Sequence, residues 1–314
     1  MADGILALLD VGFFAAVLRI ATPLLLATIG ELYTERAGVL NLGIEGIMLL
    51  GAMAGFSFAH VTGSLWLGVL GAALTGAACG LVMAALAVWL GTSQHVSGIG
   101  LTLLATGLAF FCYRLIFGQP AVPPAVVPFA PLAVTGLVDI PWLGPVLFRQ
   151  TALTYLALLA VPATWLVLFR TRWGLNLRTV GENPRAADAA GVNVPLMRTE
   201  AVVLSGMLMA VGGAYLTLAQ FSSFTFGVVS GRGWVCIALV VFGQWRPFRS
   251  AAGALVFALL EALQLRLQAA GLLHVPYEVL LMLPFVLTIV VMAVVSRDAR
   301  APASLLIPFR KEER

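Results

Sequence analysis

RTRWGLNLRTVGENPRAADAAGVNVPLMRTE, residues 170–200, is the longest polar interval of the chain and lies between two strongly apolar blocks. It carries Arg170, Arg172, Arg178, Arg185 and Arg198 against Glu182, Asp188 and Glu200. In a chain made mostly of hydrocarbon, arginine gathered beside membrane ends marks the cytoplasmic side. The inner part, NPRAADAAGVNV (residues 183–194), reads as a short helix. Asn183 can cap it, Pro184 takes the first helical position, alanines follow, and Gly191 ends it. A capped helix outside the bilayer, held between two spans, is a docking element.

Working outward, 61% of the chain is hydrophobic and only 10% charged. A soluble domain carries about a quarter charged residues, so this is an integral membrane protein. The 32 glycines suit helices that approach closely in lipid. GAMAG (residues 51–55) and GAACG (residues 76–80) have the spacing of such contacts. Cys79, Cys112 and Cys236 are far apart in apolar runs and read as small buried residues, with neither a disulfide framework nor metal-ligand spacing. The net charge of +4 comes mostly from arginines beside membrane ends; it speaks of orientation and not of nucleic acid. The start, MADGILALLD, lacks the basic region of a cleavable signal peptide.

Apolar runs predict about eight spans, at residues 11–30, 47–61, 65–90, 96–117, 151–169, 201–219, 251–273 and 279–295. Two are entered through polar breaks. Residues 31–46 hold Glu31, Glu35, Arg36, Asn41 and Glu45, and residues 221–233 are rich in Gly and Ser. The apolar run 234–243 is too short to cross a hydrocarbon core that needs about 20 helical residues. It reads as a half-helix whose N-terminus is buried in protein, because irregular backbone at membrane depth must be shielded or line a cavity. The fold expected is an all-α polytopic bundle, one transmembrane domain over residues 1–314. The proline-rich run 119–145 cannot be a regular helix and, with Asp139 its one charge, reads as external. Placing the arginines of residues 170–198, 246–249 and 297–314 inside puts the C-terminus in the cytoplasm and the N-terminus outside.

An absence narrows the chemistry. The only lysine is Lys311, so no Gly-rich phosphate loop with its lysine exists, and ATP cannot be bound that way. His60, His95 and His274 are isolated, and no catalytic constellation stands out. The chain reads as a transporter, not an enzyme.

Ionisable groups inside a membrane cost about 2.5–3.5 kcal/mol, so they face a partner or a wet path. Asn41 and Glu45 could present themselves to a translocation path, or Glu35, Arg36 and Glu45 could pair locally and hold the break together. Gln94 and Thr102 open the fourth span, with Thr106 on the face of Thr102; membrane hydroxyls most often bond back to their own helix. Gln220 and Ser222, with Ser223, Thr225 and Trp234, would suit a polar, uncharged ligand, although Trp234 fits an interface anchor equally well. Glu261 is a packed carboxylate or a pathway residue. Arg266, five positions on, does not share its face.

Three blocks carry a resemblance: TERAGVLNLGIEGIMLLGAMAGF (residues 34–56), VGENPRAADAAGVNVPLMRTEAVVLSGMLMAVGGAYL (residues 180–216) and GRGWVCIALVVFGQWRPFRSAAGALVFALLEAL (residues 231–263). They resemble, in order and over about a third of the chain, the ABC-importer permeases of the branched-chain amino acid, ribose and nucleoside group. The ERAGVLNLGIEG and GRGW wording is most like the nucleoside-type subunits. The resemblance implies an importer in the bacterial cytoplasmic (inner) membrane. Its partners would be a cytoplasmic ATPase that binds ATP and Mg, a second permease subunit (a paralogue or another copy) and an external substrate-binding lipoprotein. Beyond lipid and a small polar solute, no nucleic acid is implied and no cofactor in this chain. Residues 183–194 then become the coupling helix, with Glu182, Asn183, Pro184, Arg185, Asp188 and Gly191 at the ATPase and the alanines allowing close approach. A sugar or branched-chain amino acid permease is the alternative in the same class. A stand-alone secondary transporter, for which broken helices also serve, is the alternative outside it.

Overall fold

The computed structural model describes residues 10–133, 136–270 and 300–309, together with Met282, Val286, Ile289, Val290 and Ala293. The eighth expected span, residues 279–295, thus lies almost wholly outside the described residues. Seven helices among those described are long and apolar enough to cross a membrane. They are α1 (Val11–Arg36), α2 (Ile44–Thr62), α3 (Leu65–Ala84, prolonged by a π turn, Ala85–Trp89), α4 (Gln94–Phe117), α6 (Ala152–Arg170), α9 (Val194–Tyr215, prolonged by a π turn, Leu216–Gln220) and α11 (Pro247–Ala270). Between α4 and α6 run a short helix α5 (Leu143–Leu147) and a two-residue antiparallel ribbon pairing β1 (Leu132–Ala133) with β2 (Arg149–Gln150). Between α6 and α9 lie α7 (Arg172–Glu182) and α8 (Pro184–Ala189). The 11-residue α10 (Arg232–Phe242) is the half-helix expected from its length.

The centre of the bundle is α1, α2 and α9. Their apolar windows are 72–78% buried, against 22% for α4, the least buried of the seven. Helix α1 packs on α9 and α11 and touches α6 and α10; α9 also packs on α2 and α3. Glycine permits these approaches. A Cβ on Gly76 of α3 would lie 2.1 Å from the Gly206 carbonyl oxygen of α9, and one on Gly51 would lie 2.5 Å from Ala210. Both small-residue runs noted in the sequence thus face α9. In lipid, where apolar burial between helices gains little, such backbone contact supplies the packing.

The first break is shorter than its polarity suggests. Helix α1 continues through Pro23 and past Glu31 and Glu35 to Arg36, and only residues 37–43 are non-helical. Both glutamates stay in the helix because each has a partner within the bundle. Glu31 Oε1 accepts the Asn41 N–H (3.0 Å), and Glu35 Oε2 accepts the Trp245 indole N–H. Gly38, at φ +85°, makes the turn out of α1. Residues 172–182, which the sequence reading left inside a polar loop, form a helix with Leu177 and Val180 buried on one side.

Gly213 is the tightest of these contacts: a Cβ there would sit 1.8 Å from the Met48 carbonyl oxygen. Gly213→Val is expected to force α2 from α9 and to destabilise the bundle by about 1–3 kcal/mol or more. Thermal unfolding in detergent, compared with Gly100→Ala, whose Cβ meets open space, measures it.

Candidate functional site

Two places concentrate the candidate residues: a helix outside the bundle and a pair of helix breaks inside it. The first is built by local capping. Thr171 ends α6, and its hydroxyl accepts the Gly174 N–H (3.1 Å) to start α7. Asn183 Oδ1 accepts the Ala186 N–H (3.0 Å) to start α8, with Pro184 in its first turn. Gly191, at φ +87°, reverses the chain, and Asn193 Oδ1 caps α9 through the Leu196 N–H (3.1 Å). Ala187 turns inward and, with Val180 and Val194, seats α8 on the bundle. Asn183, Arg185, Ala186, Ala189, Ala190 and Gly191 are exposed, whereas Asp188 is half-buried. Beside them a hollow of about 380 Å³ is lined by Trp89, Asp188, Gly191, Val192, Asn193 and Pro195.

Two charged residues of this stretch differ from their sequence reading. Glu182 turns part of its carboxylate back to accept the Ala303 N–H (3.3 Å). Arg198, counted with the loop arginines, is the largest fully buried side chain described.

The second place is where residues 37–43 run along α4. Gln94, the first residue of α4, accepts the Leu40 N–H (2.8 Å), and Thr102 donates to the Leu42 carbonyl (2.9 Å). Leu40 and Leu42 are thus held by residues about two turns apart on α4, so the break runs along that helix. Thr102 therefore does not bond back to its own helix as hydroxyls usually do. Asn41 Oδ1 accepts the Gly43 N–H (3.0 Å) inside the turn.

Helix α10 begins against the same point. Glu45, the second residue of α2, accepts the Gly231 and Gly233 N–H groups, each at 2.8 Å, so its carboxylate caps the half-helix. A carboxylate there satisfies orphan donors and meets the positive end of the helix dipole. Arg232 pairs with Glu261 of α11, which gives Glu261 its partner. Arg266 pairs instead with Asp10 (2.7 Å), whose carboxyl its guanidinium holds below the usual value. At its other end α10 stops in two left-handed residues, Gln244 (φ +51°) and Trp245 (φ +55°). Trp245 is held there by α1: its carbonyl accepts Arg36 Nε and Nη2 at 2.9 and 2.7 Å.

Asn41, Glu45, Gln94 and Thr102 thus come together around the first break, and Glu45 joins it to the second. Trp234, 42% exposed, stands beside the capped end of α10. Gln220 and Ser222 lie apart from these, at the far end of α9. Ser222 sits at φ +61°, and Gln220 Oε1 is buried without a hydrogen-bond partner among the described residues. Nearby, Tyr113, Phe224 and Phe226 surround a cavity of about 300 Å³ that Arg114 and Gln119 also line. No group of His, Cys, Asp and Glu among the described residues could hold a metal ion.

The described residues form a multi-pass helical bundle with a half-helix within it and a capped helix outside it. The family model for the permease component of branched-chain amino acid transport systems matches residues 13–292, and the chain belongs to that family of ABC-importer permeases. It is 44% identical to a putative glucose ABC transporter permease of Haloferax volcanii over 265 residues, 83% of this chain and 79% of that one. It is 38% identical to a nucleoside ABC transporter permease of Lactococcus lactis over 299 residues (92% and 93%). With a guanosine ABC transporter permease of Bacillus subtilis it shares 34% over 307 residues (95% and 96%). No solved structure matches the chain significantly.

Removing the Glu45 carboxylate leaves the half-buried Gly231 and the buried Gly233 N–H groups without this acceptor, at about 1–3 kcal/mol for a buried donor. Glu45→Ala is expected to lower thermal stability in detergent clearly, and Glu45→Gln, which keeps one acceptor oxygen, by less. Equal effects would show that the carboxylate is not the cap.

Proposed function

We propose that this chain is the nucleoside-translocating permease of an importer whose ATPase seats α8. The observation that carries the coupling half is α8 itself. It is an exposed helix capped at both ends, tied to two spans, with a hollow beside it. Arg185, Asn183 and Gly191 are its outward contacts, Pro184 sets its start, and Ala186, Ala189 and Ala190 let a partner surface approach. Asp188 lines the hollow. Glu182 serves mainly to hold α8 in place.

The arginines around α7 and α8 support a cytoplasmic position for that face, with the N-terminal side of α1 outside. ATP binding closes the partner ATPase, α8 follows as a lever, and the permease pair alternates between outward- and inward-open forms. The second permease is a paralogue or another copy, an external lipoprotein delivers the solute, and ATP with Mg stays on the ATPase.

Nucleosides are favoured because the two relatives named for nucleosides and guanosine align with more than nine-tenths of this chain. The cavity lined by Tyr113, Phe224 and Phe226 adds ring faces on which a base can stack. Asn41, Glu45, Gln94, Thr102 and Trp234 border the path at depth, the first four chiefly by bracing it. A hexose is the second reading, supported by the Haloferax relative. Both solutes are neutral and rich in hydroxyls, and the base is what separates them.

Uptake into proteoliposomes holding the permease pair, ATPase and binding lipoprotein tests both parts. Arg185→Glu combined with Ala186→Trp changes only exposed positions. It is expected to leave insertion intact and to cut ATP-dependent uptake at least about fivefold. Uptake that needs no ATPase would instead identify a stand-alone transporter. Excess unlabelled guanosine is expected to suppress uptake of labelled uridine while glucose does not; suppression by glucose alone would move the substrate to hexoses.

A further inference from the structure

Some side chains are tied both to the flanks of α8 and to the first helix break. Arg198 lies just beyond α8, at the start of α9, and is 1% exposed. Its partners among the described residues are all neutral. Nε donates to the Ala37 carbonyl, Nη1 to the Ile307 carbonyl and Nη2 to Ser304 Oγ, each at 3.1 Å. The rigid guanidinium fork thus binds the first residue of the break and the segment 300–309 at once, a geometry that a lysine ammonium cannot reproduce.

Ser304 carries the connection to the other side of α8. Its N–H donates to the Gly181 carbonyl (2.9 Å), and its hydroxyl lies 2.7 and 3.1 Å from the Gly181 and Val180 carbonyls at the end of α7. The fit is close. A Cβ on Gly38 would lie 2.4 Å from Ser304 Oγ, and one on Gly181 would lie 2.0 Å from the Arg36 carbonyl oxygen. The end of α1, the end of α7 and the start of α9 therefore meet in one knot that brackets α8. From that knot the chain runs through residues 37–43 to Glu45 and the capped end of α10.

We propose that Arg198 and Ser304 form the strut that carries displacement of α8 into the first break, and so are positioning residues for coupling hydrolysis to transport. This rests on α8 being the ATPase-docking helix. It goes beyond that reading by assigning the transmission to two buried side chains, Arg198 and Ser304. A buried guanidinium held only by neutral acceptors is a costly way to stabilise a bundle, and a fork joining three segments is a specific way to link their motions.

The full reconstituted importer provides the test, with substrate moved per ATP hydrolysed as the readout. Ser304→Ala and Arg198→Lys are made separately, the first deleting one hydroxyl and the second keeping the charge while losing the fork. Both are expected to insert, to assemble with the ATPase and to hydrolyse ATP near the wild-type rate. Substrate moved per ATP is expected to fall by roughly tenfold. Uptake and hydrolysis that fall together would show a purely structural role and overturn the strut. So would an unchanged ratio in both variants while the Arg185→Glu, Ala186→Trp pair still uncouples, an outcome that leaves the docking reading standing. Uptake that ignores the ATPase in the wild type would overturn both.

Discussion

Non-helical backbone inside a membrane protein has no water to bond to, and every one of its N–H and C=O groups must find a partner in the bundle. Residues 37–43 meet that demand with side chains from neighbouring helices. Glu31 takes the Asn41 N–H, Gln94 takes that of Leu40, Thr102 satisfies the Leu42 carbonyl, and Arg198 satisfies that of Ala37. Much of the polar chemistry at depth follows from this. Glu31, Glu45 and Gln94, which stand out in an apolar sequence, are here first of all partners for backbone.

The second break is solved through the first. Helix α10 begins at depth with exposed donors, and the carboxylate that takes them comes from the second residue of α2. Its far end is clamped by Glu35 and Arg36 of α1 through Trp245. The half-helix is thus fastened at both ends to the flanks of the other break. The two irregular segments form one unit, in which Glu45 is the shared joint. A change in the angle between α1 and α2 must be felt by α10.

How much of this can be read from sequence depends on how local the physics is. Spans are set by hydrophobic length, and seven of the expected eight coincide with described helices. Caps are set within a few residues, so α8 was legible from Asn183, Pro184 and Gly191 alone. The breaks were visible as polarity but not as geometry, because polarity does not say who satisfies whom. Glu31 and Glu35 look like part of a polar break in apolar surroundings, yet they lie in α1 and accept from Asn41 and Trp245. Arg198 was the least legible, since an arginine at the edge of a polar loop looks like a surface charge. Its burial depends on Ala37, Ser304 and Ile307, the nearest of them 106 positions away. Glu261 likewise gained its meaning from Arg232, across two helices. For the pathway residues, sequence could name Asn41, Glu45, Gln94 and Thr102 together but not their division between bracing and lining.

The knot at Arg198 also bears on how the protein is made. Its contributors come from the end of α1, the end of α7, the start of α9 and residues 300–309, and a chain emerges from the ribosome in that order. Until the last of these arrives, Arg198 lacks two of its three acceptors, and Gly181 lacks the backbone donor that Ser304 supplies. A partly synthesised chain can therefore carry every cap of α8 and still hold that helix on an unfinished base. The base of α8 is thus completed by residues 300–309, the last of these segments in sequence.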